Sequence, residues 1–190
     1  AWASCRDHKI DRAENVCALS LQLFNALVSR DSLSGKAVRH GHRLVQAAAW
    51  MHRLAGDPPQ PERAGDVLED IRSLRPPIGW TAQHLERLIE ILERLWGVEF
   101  QADTGQEADS SHEIPTQAIA EIIRMAQMLN HLSTRDFPEV RPESAGNGEL
   151  VISLSNGSKK PKTEVIHECA DRLSELLDRQ VKVETTADGS

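Results

Sequence analysis

The chain has 190 residues, 39% of them apolar and 27% charged, with a formal net charge of −7. Such a composition belongs to a soluble globular protein of one large or two small domains, long enough to bury a core. The acidic balance argues against broad binding to nucleic acid, and the lack of any apolar run near ~18 residues excludes a membrane-spanning helix.

The N-terminal AWASCRDHKI has no apolar signal-peptide core. Between Asp11 and Arg30, Ala13, Val16, Cys17, Leu23, Phe24, Leu27 and Val28 form one stripe of an amphipathic helix. After the polar break DSLSGKAV, a second helix is expected from Ser34 to Ala55, with Val38, Leu44, Val45, Ala48, Met51 and Ala55 inward. Its Ala47-Ala48-Ala49 run suits close helix contact, and Gly56 followed by Pro58 and Pro59 should end it. PERAGDVLEDIRSL reads as a short third helix through Val67, Leu68, Ile71 and Leu74, stopped by RPPIGW. Thr81 is a suitable N-cap for a fourth, whose stripe is Leu85, Leu88, Ile89, Leu92, Leu95 and Trp96, with Gly97 as its end. Residues 101–113 are acidic and aperiodic, an exposed loop. Pro115 opens a fifth helix with Ile119, Ile122, Ala126, Leu129 and Leu132 inward.

The pattern changes after Arg135. FPEVRPE and GELVISLS are short extended candidates joined by residues 143–148, then a helix is expected over 162–178 and a last strand in QVKVET. The expected fold is mainly α, of the α+β class: five helices over 11–135, then a small, partly antiparallel β-β-α-β tail over 136–186. Cys5, Cys17 and Cys169 are odd in number and lack CxxC spacing, which points to reduced thiols in a cytoplasm.

The order of ALSLQLFNAL, LVQAAAWMHRLAG, GWTAQHLERLIEILERLWG, IAEIIRMAQMLNHLSTR and GELVISLS, closing on RLSELLDRQVKVE, resembles the C-terminal half of the exopolyphosphatase / guanosine pentaphosphate phosphohydrolase (Ppx/GppA) family. The likeness spans 11–184, and LQLFNAL and AAAWMHRLAG carry most of it. It implies an HD-like helical domain followed by a small α/β tail, with the family's phosphatase chemistry in a separate N-terminal actin-like half. No G-x-x-x-x-G-K-[ST] or glycine-rich strand-turn-helix unit supplies that half here, and the stretch before Asp11 is too short to do so. The chain starts without Met, as processing or a cut from a longer chain would leave it.

A working HD site needs a helix-1 histidine, an adjacent His-Asp pair and a distal aspartate to hold a cation and activate water. The resemblance aligns these with Arg12, His52-Arg53 and Gln127, so His52 alone is retained. An arginine where a carboxylate is required repels metal, and the expectation is a dead site with no catalytic residue, no metal and no cofactor. His52 on an apolar helix then reads first as a packed histidine bonded to backbone or water. Alternatively Arg12, His52 and Arg53 replace the cation with fixed positive charge and bind phosphate.

Other charged features have blander readings beside sharper ones. Lys159, Lys160 and Lys162 before a helix could hold phosphate, although lysines commonly decorate a turn. His40 and His42 in RHGH point to different faces and read as surface residues. Arg72 follows Glu69 at helical pairing distance, near Arg63 and Arg75. Glu86, Glu90 and Glu93 read as a solvated face, with Arg94 paired to Glu90. Cys17 lies in an apolar stripe as inert core.

The favoured expectation is a non-catalytic module that dimerises or partners a separate Ppx/GppA-type catalytic protein, without nucleic-acid or membrane partners. Trp2, Trp50, Trp80 and Trp96 are candidates for such a surface, with core packing the default for Trp50 and Trp96. One alternative is a metal-free pocket for polyphosphate or a guanosine nucleotide. The other is an enzyme, either a divergent HD hydrolase or a fragment of a full exopolyphosphatase.

Overall fold

Among the described residues, the first part of the chain forms five helices: α1 (Ile10–Val28), α2 (Gly35–Met51), α3 (Pro61–Ser73), α4 (Ala82–Trp96) and α5 (Thr116–Leu132). They precede β1 (Glu143–Ser144), β2 (Leu150–Ser155), α6 (Thr163–Leu177) and β3 (Val181–Thr186). This computed structural model describes residues 10–28, 35–98, 114–132, 143–144, 150–155, 163–178 and 180–186. The molecule is mainly helical.

Local chemistry sets the helix ends. Pro61 starts α3, where a missing N–H costs nothing. Thr81 caps α4 in a reciprocal box whose other member is His84: the Thr81 N–H donates to His84 Nδ1 at 2.9 Å. Gly97 closes that helix at φ +66, in the left-handed region glycine tolerates.

Helix α2 ends at Met51, before the expected Ala55. The His52 side chain claims a last-turn carbonyl, Nδ1–H donating to the Ala49 oxygen at 2.5 Å. The Leu54 N–H then turns to Met51 O at 2.9 Å and the Gly56 N–H to Arg53 O at 2.9 Å, so residues 52–55 are turn and not helix. Gly56 stands at φ +106, and a Cβ there would meet the Pro58 carbonyl oxygen at 2.9 Å. Only glycine suits the bend.

Helix α5 is central and packs against α1, α2, α4 and α6. Beyond its expected stripe, Ala118, Ala120, Ile123 and Met125 are also buried. A helix apolar nearly all round belongs inside. The RHGH segment is not mere surface either. Gly41 is buried where a Cβ would lie 2.6 Å from the Phe24 ring, which lets α1 and α2 approach closely. His42 meets that ring edge-on, and His40 meets His84 with ring centroids 4.4 Å apart.

In the tail, β2 lies between antiparallel β1 and parallel β3, with α6 connecting the parallel pair. Of the expected FPEVRPE strand only Glu143 is described, and β1 begins there, where the connection was expected. Ile166, Cys169, Leu173, Val181 and Val183 join the same apolar cluster as the first five helices. Among the described residues, no helix is long and apolar enough to cross a membrane.

Candidate functional site

The turn that follows α2 is fixed from two sides. His52 is 6% exposed, with its Nδ1 on Ala49 and its carbonyl accepting the Trp96 indole N–H at 2.7 Å. The end of α4 therefore clamps the end of α2. His52 is a packed residue on a built turn, although its place just beyond the helix differs from the in-helix expectation.

This turn forms one wall of a cleft of about 230 Å³. Helix α1 contributes Arg12 and Val16, the turn contributes His52, Arg53, Gly56, Asp57 and Pro59, α4 contributes Leu95, and α5 contributes Gln127, Met128, Asn130 and His131. Arg12, the adjacent pair His52 and Arg53, and Gln127 come from three distant stretches of the chain and thus line the same space. Lys159, Lys160 and Lys162 lie outside the described residues, as do the 101–113 loop, Trp2 and Cys5.

Arg53 is the most constrained charge in the cleft. Its side chain is 14% exposed, and Nη2 lies 3.3 Å from Asp57 Oδ2. Nε and Nη1 are buried and meet no hydrogen-bond partner among the described residues. Leaving a buried donor without an acceptor costs about 1–3 kcal/mol, so the guanidinium gains from any acceptor it can turn towards. Arg12, contributed by α1, is exposed. Gln127 and Asn130 each supply an amide that can donate or accept, and His131 a ring nitrogen.

A hydrolytic metal centre needs several carboxylate or imidazole ligands converging on one point. Asp57 is the one carboxylate among the described residues lining the cleft. Among the described residues, no group of three or more His, Cys, Asp or Glu side chains is placed to hold a metal ion. The lining residues, two arginines with amides and histidines, are groups that can donate hydrogen bonds to an anion.

Two expected surface features prove partly internal. Arg72 lies 3.9 Å from Glu69 but 3.0 Å from Glu93 on α4, so its shorter ion pair joins two helices. The Glu93 side chain is only 12% exposed, and burial raises its pKa against the lowering effect of Arg72. Glu93 is therefore not part of a solvated face. Glu90 does pair with Arg94 at 2.9 Å, and it also accepts from the Thr116 hydroxyl at 2.7 Å.

A second polar cluster escaped sequence reasoning. Glu121 on α5 is 6% exposed and accepts from Arg124 at 2.5 Å, while Cys169 Sγ lies 3.6 Å from its other oxygen and Arg172 stands 3.8 Å away. Arg124 also donates to the Arg94 carbonyl. The available signal was a lone glutamate inside the apolar run IAEIIRMA. Every charge in this cluster has a protein partner, and it ties α4, α5 and α6 together.

No family model matches the chain, and no curated protein matches it in sequence.

Proposed function

We propose that the chain is a non-catalytic module of the exopolyphosphatase C-terminal type whose former metal pocket binds the end of a phosphate chain. The observation that carries this reading is the convergence of Arg12, His52, Arg53 and Gln127 on one cleft. These are the positions that the Ppx/GppA resemblance assigns to HD-type ligands. Residues that once held a cation now include the cations themselves, and an oxyanion is their natural counterpart.

Size narrows the ligand. At about 230 Å³ the cleft is smaller than the pockets of ~300–1,000 Å³ that enclose drug-sized ligands. It suits a terminal phosphate or diphosphate, with the rest of a polyphosphate or guanosine polyphosphate left outside. Hydrolysis is not part of the proposal, because Asp57 is the one carboxylate among the described residues lining the cleft and it is paired to Arg53.

The test is titration of purified protein with polyphosphate and guanosine tetraphosphate, followed by heat of binding, with metal content measured on the same sample. Saturable, metal-independent binding is expected, with Arg53→Ala lowering affinity by about 2–3 kcal/mol, as loss of a charge-assisted bidentate contact does. Unchanged binding in folded Arg53→Ala sinks the proposal. No binding by the folded wild-type protein leaves the alternative of a module that docks a catalytic partner or a second copy. The fully exposed Ile78, and the exposed Leu74 of the same α3–α4 connection, would then be the first residues to mutate.

A further inference from the structure

If the cleft is an anion site, one of its own walls already carries an anion. The Asp57 carboxylate lies 3.3 Å from Arg53 Nη2, longer than the ~2.7–2.9 Å of a well-made charge-assisted bond. It engages one corner of the guanidinium and leaves Nε and Nη1 without partners among the described residues. The two groups differ in freedom: the Arg53 side chain is 14% exposed and that of Asp57 47%. The backbone holding Asp57 is fixed, by Gly56 at φ +106 and by the Gln60 N–H donating to Ala55 O at 2.7 Å. Its half-exposed side chain can therefore rotate to water while its Cα stays in the wall of the cleft.

We propose that Asp57 is an internal competitor for Arg53, which a phosphate ligand must displace on binding. This rests on the anion-site reading above and adds a threshold to it. A phosphate carries more charge than a carboxylate and offers three acceptor oxygens, enough to satisfy the guanidinium at two corners. A simple carboxylate offers only what Asp57 already supplies. The cleft thereby selects phosphates over monocarboxylates, and Asp57 sets how strong an anion must be to enter.

Calorimetric titration with pyrophosphate tests this on wild type, Asp57→Asn, Arg53→Ala and the double variant. Asp57→Asn keeps the shape and removes the charge. Its affinity is expected to rise roughly three- to tenfold, the scale of a lost exposed ion pair plus a removed repulsion. That gain should vanish in the Arg53→Ala background. Acetate, silent on wild type, should bind Asp57→Asn measurably. Wild-type binding with no gain in Asp57→Asn overturns the competitor and leaves the anion site standing. A gain that persists without Arg53 also overturns it, since Asp57 would then act only as a general negative charge. If neither wild type nor Asp57→Asn binds pyrophosphate, the anion site itself is refuted. Asp57→Ser, checked by circular dichroism, replaces Asp57→Asn should the latter fail to fold.

Discussion

Cys169 is 5% exposed on α6, and its Sγ lies 3.6 Å from a Glu121 oxygen. Burial, then the Glu121 charge and hydrogen bond, pushes the thiol pKa to about 11. At pH 7 that leaves roughly one molecule in ten thousand as thiolate, the nucleophilic form. Burial likewise raises the pKa of Cys17, on α1. Iodoacetamide at pH 7.5 should therefore leave Cys17 and Cys169 almost unlabelled in the native protein and label both in urea, as peptide mass mapping will show. Labelling of native Cys169 at the rate of a free thiol would contradict its burial. The same physics governs Arg53, with the opposite outcome. A buried thiol becomes inert by staying neutral, whereas a guanidinium cannot lose its charge and must find an acceptor.

At the scale of elements, the Arg72–Glu93 pair joins α3 to α4 and gives their packing a pH dependence. Burial is the larger influence on Glu93 and raises its folded-state pKa above the ordinary 4.5. The folded protein thus holds this proton more tightly than the unfolded chain does, so Glu93 contributes a loss of stability as pH rises through and above that value. Arg72 opposes the loss by lowering the pKa. Arg72→Ala should cost about 1–2 kcal/mol at pH 7, and the deficit should shrink as pH falls towards 4 and Glu93 protonates. Urea melts at the two pH values decide it, and a deficit independent of pH would show that Arg72 acts by packing alone. This pair was invisible to intrahelical spacing, which offered only Glu69. What the sequence made legible was the existence and order of helices, because apolar period and caps such as Thr81 and Gly97 are local. The cleft was half legible. Arg12, His52, Arg53 and Gln127 could be named through a resemblance, but Asp57, Asn130 and His131 enter it only because α1, α4 and α5 close around the turn. The stop at Met51 was hidden because it depends on a histidine side chain taking a backbone carbonyl.

For the whole molecule, the question is whether the α/β tail and the helices fold together. Leu173 on α6 is fully buried within the same cluster as the α5 residues Ile119 and Ile122. Glu121 adds a polar tie, binding Arg124 on its own helix while facing Cys169 and Arg172 on α6. A continuous core of this kind predicts one cooperative transition. Fluorescence tests it without ambiguity of origin, because all four tryptophans precede the tail in the chain. Leu173→Ala, a truncation in the tail, should remove about 2–5 kcal/mol and shift the urea midpoint seen by tryptophan by the same amount as that seen by circular dichroism. If the tryptophan midpoint stays at its wild-type value while the circular dichroism curve splits, α6 and the sheet unfold alone. The apolar contact between α5 and α6 would then be a docking surface between two folding units, and the cleft at Arg53 would keep its stability without the tail.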